Sequence, residues 1–113
     1  MSWVNDNLSY FYQKQWPLTQ VSIIIVNYNA QYFLKNCIGS INRSLGVNGI
    51  EIIVVDNAST DESCEMLRTD FPEVRLIENP VNVGFSKANN QGVAMAGGTH
   101  ILILNPDTLI AED

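Results

Sequence analysis

Apolar residues fall in four short continuous runs along the chain, separated by stretches with helical spacing. The runs are VSIIIVN (21–27), EIIVVD (51–56), VRLIE (74–78) and HILILN (100–105). Continuous runs rich in β-branched residues are typical of strands that are covered on both faces. The four runs therefore predict four strands, the first two of them buried.

Three amphipathic helices are predicted between these strands. In the segment 30–45, one stripe of apolar residues repeats every three or four positions: Leu34, Cys37, Ile38, Ile41 and Leu45. In the second helix the inward stripe is Cys64, Leu67 and Phe71, and Ser59 and Glu62 form an S-x-x-E capping box at its start. The third helix covers 85–96 and ends at the glycine pair 97–98.

Alternation of strands and helices predicts an α/β fold with a mostly parallel, Rossmann-like sheet. Helices are expected on both faces of this sheet, and crossovers between its parallel strands are right-handed. The common doubly wound arrangement places the strands in the order 3-2-1-4. Ligands of such sheets bind beyond the carboxyl ends of the strands, where the first and fourth strands meet.

Composition limits the classes of protein to which the chain can belong. Its 113 residues make at most one domain, and 46% of them are apolar against 16% charged. So few charges predict that part of the surface is covered by a partner or by another part of a longer chain. The net charge of −6 argues against a nucleic-acid partner, because phosphate binding requires clustered Lys and Arg. No apolar run approaches a membrane span and no basic, then apolar, leader is visible, so a cytoplasmic location is expected.

Residues 1–20 differ from the rest and form an aromatic-rich leader ahead of the domain predicted over 21–113. This leader carries five of the ten aromatic residues: Trp3, Tyr10, Phe11, Tyr12 and Trp16. Its rings are interpreted as packing on the domain surface, and contact with a membrane surface or a partner is the alternative.

Polar side chains gather where three of the predicted strands end. Strand one ends in Asn27-Tyr28-Asn29, strand two in Asp56-Asn57 and strand four in Asn105-Pro106-Asp107. The predicted strand order makes these ends neighbours, which indicates one binding crevice. Asp56 is interpreted as an acceptor for the base or ribose of a nucleotide. Tyr28 is equally consistent with stacking on a base and with ordinary packing.

The turn after strand one excludes the common phosphate-binding loops. It reads NYNAQYFL, without a glycine, so neither a dinucleotide fingerprint nor a Walker loop is present. Asp107 is therefore the candidate ligand for a divalent cation, Mn²⁺ or Mg²⁺, that neutralises a diphosphate. Lys87, in the first turn of the third helix, adds positive charge near that helix N-terminus.

Four segments in order resemble the successive motifs of family 2 glycosyltransferases, which have the GT-A fold. They are VSIIIVNYN, IEIIVVDNASTD, NVGFSKANNQG and ILILNPDT, and they cover residues 21–109. The resemblance implies that Val26 and Tyr28 line the nucleoside pocket and that Asp56 holds the base. It also implies that Gly84 lies at the donor site and that NPD stands where the family has its D-x-D motif, with Asp107 as the metal-binding acid.

Two positions depart from the family pattern. The first acid of D-x-D is Asn105, so this motif supplies one carboxylate to the metal. In the helix motif the family usually has an arginine just before the second asparagine. Asn89 occupies that position here, and Lys87 is expected to compensate for the missing arginine. The combined motifs are similar to those of rhamnosyltransferase-like enzymes that build bacterial surface polysaccharides. This similarity implies a UDP- or dTDP-activated sugar as donor and a glycan or lipid-linked acceptor.

The general base for inverting transfer, and the acceptor site, follow the D-x-D strand in that family. The resemblance therefore implies a base beyond Asp113, with no catalytic residue in this chain. We expect residues 21–113 to be the nucleotide-sugar-binding half-domain, truncated after the D-x-D-like motif. Peripheral membrane association is expected of the full-length protein, and a homodimer of this chain through strand four or residues 1–16. A nucleotidyltransferase and a non-catalytic nucleotide-binding or partner-interaction module are the alternative functions.

Overall fold

The computed structural model describes residues 19–45 and 48–111, which form one parallel α/β layer structure. Its elements in chain order are β1 (Val21–Asn27), α1 (Gln31–Leu45), β2 (Ile50–Asp56), α2 (Ser63–Asp70), β3 (Arg75–Glu78), α3 (Phe85–Met95) and β4 (His100–Leu104). None of the helices in the described ranges is both long and apolar enough to cross a membrane.

Two of the sequence predictions fall outside the described residues. The aromatic-rich leader, 1–20, lies outside them except for its last two positions. Asp113, beyond which the general base is predicted, also lies outside them. The structure therefore tests neither the packing of the leader nor the place of the base, and both stay predictions.

The four strands form one sheet in the order β3-β2-β1-β4, and every pair is parallel. The predicted fold class and strand order are therefore confirmed. The register places Asn27 opposite Asp56 and Ile25 opposite Leu104. The carboxyl ends of β1, β2 and β4 consequently lie side by side.

Helices cover both faces of this sheet, each over its own apolar cluster. Helices α1 and α2 pack on the face that carries Ile23, Ile25 and Val54. Helix α3 packs on the opposite face through Ala88, against Ile24 and Val55. It approaches closely because Gly92 has no side chain: a Cβ there would lie 2.5 Å from Ile24 Cγ2.

The start of α2 differs from the sequence prediction. The capping box is wrong, because α2 begins at Ser63 and its N-cap residue, Glu62, makes no side-chain capping bond. Asp61 binds the first turn instead: its Oδ1 accepts hydrogen bonds from the backbone N–H and the hydroxyl of Ser63. Ser59 donates its hydroxyl to Asp56.

The predicted stripe is correct along α1 except at its last position, and only partly correct in α2. Leu34, Cys37, Ile38 and Ile41 of α1 are fully buried, whereas Leu45, at the last position of the helix, is exposed. In α2, Met66 and Leu67 are the buried apolar residues, and Cys64 and Phe71 are only half-buried. Both cysteines are free thiols, and Cys37 is buried whereas Cys64 is half-buried.

A polar cluster fixes the amino end of the sheet, opposite the predicted binding crevice. Glu51 accepts hydrogen bonds from the Ser22 hydroxyl at 2.6 Å, the Gly97 N–H at 2.7 Å and the Arg75 guanidinium at 3.0 Å. Partial burial raises the pKa of Glu51, but these three donors together outweigh it and hold the pKa below its ordinary value of 4.5. Glu51 thereby joins β1, β2, β3 and the turn before β4.

Acid should therefore weaken the fold through Glu51. A carboxyl group whose pKa is lowered by folding stabilises the folded state above its unfolded pKa, and this contribution is lost as the pH falls below about 4.5. We expect Glu51→Gln to lower the free energy of unfolding at pH 7 by about 1–3 kcal/mol. The difference from wild type should shrink towards pH 3. Urea unfolding at several pH values measures this, with the exposed Glu73→Gln as control; a pH-independent difference would contradict it.

Candidate nucleotide-sugar site

A cleft of about 620 Å³ lies at the carboxyl ends of β1 and β4, where the strand order predicts a binding site. Five of the predicted site residues line it: Val26, Tyr28, Gly84, Asn105 and Asp107. Its volume is within the range of small-molecule and cofactor sites. The structure thus brings together residues from three separate motifs, between 26 and 107 in the sequence.

Exposed aromatic rings form much of the cleft wall. Tyr28 is 53% exposed, Phe33 of α1 is 53% exposed and Phe85 at the start of α3 is 57% exposed. Exposed rings around a concave site suit the flat face of a base or a sugar. Sequence reasoning missed Phe33 and Phe85. The signal was available, because each is a large apolar residue that lies off the buried stripe of its helix.

The Asp56 carboxylate is buried at the carboxyl end of β2. It is 2% exposed and does not line the cleft. Its Oδ1 accepts from Asn27 Nδ2 at 2.9 Å and from the Ser59 hydroxyl at 2.6 Å, and its Oδ2 accepts from the Ser59 N–H at 2.9 Å. Burial first, and then the charge and the acceptor oxygen of Asp56, raise the pKa of the Cys64 thiol to about 11.

Asn27 and Asn29 also lie outside the cleft lining. Asn27 is fully buried, donates to Asp56 through Nδ2, and leaves Oδ1 without a partner among the described residues. Asn29 lies between two cleft residues, Tyr28 and Ala30, and its side chain turns to the loop after β2. Lys87 is exposed in the first turn of α3 and is not part of the lining.

Buried amides hold the loop that precedes α3. Asn57, which lines the cleft, donates Nδ2 to the Gly84 carbonyl at 3.1 Å, and its Oδ1 accepts from the Val83 N–H and from Asn79 Nδ2. Asn79 in turn pairs with Gln91 of α3 through two side-chain bonds. Gly84 has φ 88° and ψ 167°, a backbone conformation essentially restricted to glycine. The network therefore fixes both the cleft wall and the N-terminus of α3.

Asp107 is the carboxylate that the cleft exposes. It follows β4 beside Asn105, over the buried thiol of Cys37, whose pKa is raised to about 11 by burial and then by the charge of Asp107. Within residues 19–45 and 48–111, no three His, Cys, Asp or Glu side chains are grouped to hold a metal ion. Mg²⁺ is usually bound by one or two carboxylates together with substrate phosphates. The donor set fits a cation shared with a diphosphate.

Comparison with known proteins identifies the family. The profile described as Glycosyl transferase family 2 matches residues 22–113. Among curated proteins, the chain is 34% identical over 95 residues to the minor teichoic acid biosynthesis protein GgaB of Bacillus subtilis, covering 80% of this chain and 11% of GgaB.

Solved structures share the fold. A fragment of S. aureus TarS in complex with UDP matches with a TM-score of 0.75 at 21% identity, over 83% of this chain and 29% of the other. The mannosyltransferase PcManGT from Pyrobaculum calidifontis, in complex with GDP-Man and Mn²⁺, matches with a TM-score of 0.71 at 25% identity, over 91% of this chain and 35% of the other. The chain therefore spans a minor part of the proteins that it resembles.

Proposed function

The chain belongs to glycosyltransferase family 2, and we propose that it forms the nucleotide-sugar-binding half of such an enzyme. The observation that carries the proposal is the cleft that joins an exposed ring, Tyr28, to an exposed carboxylate, Asp107. The ring suits a base and the carboxylate suits a cation that bridges to a diphosphate. TarS with UDP and PcManGT with GDP-Man and Mn²⁺ support this use of the fold.

The proposed donor is a UDP- or dTDP-sugar. Tyr28 would stack on the base, with Val26 beside it and with Asp56 as the acceptor for the imino N–H of uracil or thymine. Asp107, next to Asn105, would hold Mn²⁺ or Mg²⁺ against the diphosphate. When bound, the cation would neutralise charge on the departing nucleotide diphosphate. Gly84 and Lys87 would border the site at the start of α3.

The proposed acceptor is a glycan or lipid-linked sugar of bacterial surface polysaccharide, and the similarity to GgaB supports this class. Transfer requires a general base for the acceptor hydroxyl. We place this base and the acceptor site in a part of the enzyme that follows Asp113, so that the 113-residue chain by itself binds donor without completing transfer. For the full-length protein we propose a cytoplasmic location with peripheral contact to the inner face of the membrane.

Calorimetric titration tests donor binding directly. UDP- and dTDP-sugars should bind the 113-residue chain in the presence of Mn²⁺ or Mg²⁺ and bind more weakly when the cation is chelated. ADP-sugars should bind less well than both. Absence of binding under all these conditions would reject the donor-site proposal and favour a non-catalytic module of the same fold.

Self-association is proposed for the free edge of β4. Ile101, Leu102 and Ile103 are each 40–48% exposed, and in the described residues β4 pairs with β1 alone. An apolar strand with unpaired backbone groups favours pairing with a second copy, most simply in a two-fold dimer. Sedimentation equilibrium at micromolar concentration should therefore give a dimer or higher oligomer, and Ile103→Lys should shift it towards monomer. A wild-type monomer would contradict this prediction.

A further inference from the structure

Asn29 connects the wall of the cleft to the loop after β2. Its backbone lies in the left-handed region, with φ 51°, which asparagine tolerates better than most residues. Tyr28 and Ala30 on either side of it line the cleft, whereas Asn29 does not. The backbone conformation of Asn29 therefore affects the directions in which the side chains of Tyr28 and Ala30 leave the chain.

The side-chain oxygen of Asn29 makes the connection. Oδ1 accepts from the Thr60 N–H at 2.7 Å and from the Asp61 N–H at 3.2 Å, and the Thr60 hydroxyl lies at 3.4 Å. The Asn29 N–H donates to the Ser59 hydroxyl at 2.9 Å. In the described part of the chain, the Nδ2 atom of Asn29 makes none of the bonds to Ser59, Thr60 and Asp61. The contact therefore needs an acceptor at this position and not an amide.

The same loop holds Asp56. Ser59, which accepts from Asn29, donates its hydroxyl to the Asp56 carboxylate. A second pair of bonds runs parallel to it: the Gln31 N–H donates to Asp61, and the Glu62 N–H donates to the Gln31 side chain. The segments 28–31 and 59–62 are thus joined by several bonds that span about thirty positions of sequence, with Asn29 at their centre.

We propose that Asn29 is a positioning residue for nucleobase recognition, which fixes Tyr28 at the cleft wall and, through Ser59, the buried Asp56 carboxylate. This inference rests on the proposed donor-binding function. It differs from the sequence prediction for Asn29, in which the side chain contacts the nucleotide itself. The two roles require different atoms of the same side chain, since the loop contact uses Oδ1 and a contact to a diphosphate would use the donor Nδ2.

Two substitutions separate these roles. Asn29→Gly keeps a backbone that tolerates the positive φ and removes the acceptor, so UDP binding should weaken by about three- to tenfold. Asn29→Asp keeps an acceptor in a residue that also tolerates this backbone, so binding should return to within about twofold of wild type. Asn48→Gly, in the exposed turn before β2, is the matched control and should bind as wild type. Calorimetric titration with UDP and Mg²⁺ gives the affinities.

The inference is overturned if Asn29→Gly binds UDP as wild type does, or if Asn29→Asp is as weak as Asn29→Gly. The second result would indicate a direct contact through Nδ2. NMR of the ¹⁵N-labelled chain provides a readout that needs no ligand. In Asn29→Gly the amides of Thr60 and Asp61 should exchange faster and the Tyr28 amide should gain mobility, and Asn29→Asp should restore both. Unchanged amides would overturn the inference even if wild type bound no nucleotide, a result that would separately reject the proposed function.

Discussion

Asp107→Ala should abolish metal-dependent binding of a nucleotide sugar while leaving the fold intact. Asp107 lines the cleft, is exposed and follows β4, so its loss removes no buried contact from the sheet. A cation shared with a diphosphate depends on this carboxylate, because the neighbouring motif position is the neutral Asn105. We expect the affinity gain from Mn²⁺ or Mg²⁺ to vanish, and the residual affinity to equal that of wild type in chelator.

A matched pair of variants isolates the charge of Asp107. Asp107→Asn keeps the side-chain shape, and Glu73→Gln removes one negative charge from an exposed turn before β3, at the other end of the sheet. Only Asp107→Asn should lose the gain in affinity that Mn²⁺ or Mg²⁺ provides. Titrations with UDP-sugar, with and without Mn²⁺, measure this response, and circular dichroism checks the fold. A variant at Asp107 that kept the full gain from metal would show that the cation is held elsewhere.

The sheet was predictable because its signal is local. Runs such as VSIIIVN are short, continuous and rich in β-branched residues, which favours a strand covered on both faces, and the structure buries Ile23, Ile24 and Ile25 completely. Their order followed from the handedness of crossovers and the common doubly wound arrangement. The strand ends then placed 27–29, 56 and 105–107 together, and the structure has them at one edge of the sheet.

The side-chain directions at that edge were not predictable from spacing. Ser59 has the local pattern of a helix cap, but a buried carboxylate three positions before it takes both its hydroxyl and its N–H. Asp61 then caps α2 through Ser63 and also binds Gln31. The bonds from Gln31 to Asp61 and from Asn29 to Ser59 each span thirty positions of sequence, and no local pattern encodes such partners.

Asp56→Ala should weaken binding of UDP or dTDP by about tenfold or more and should erase the preference for these nucleotides over ADP. A carboxylate that accepts from the imino N–H of uracil or thymine favours those bases, and losing a hydrogen bond to a charged group costs about 1.5–3 kcal/mol. In the structure the Asp56 carboxylate accepts hydrogen bonds from Asn27 and Ser59.

Because Asp56 is buried, its removal should also lower stability, so a loss of affinity alone does not identify a base contact. The ratio of the affinities for UDP and ADP does identify it. Glu51→Ala is the matched control, since Glu51 is a hydrogen-bonded carboxylate at the amino end of the sheet and does not line the cleft. It should lower the melting temperature and keep the preference for UDP over ADP, whereas Asp56→Ala should lose that preference. Titrations with UDP, dTDP and ADP at a temperature where every variant is folded give the ratios. If wild type binds ADP as well as UDP, or if Asp56→Ala keeps the wild-type ratio, Asp56 does not read the base.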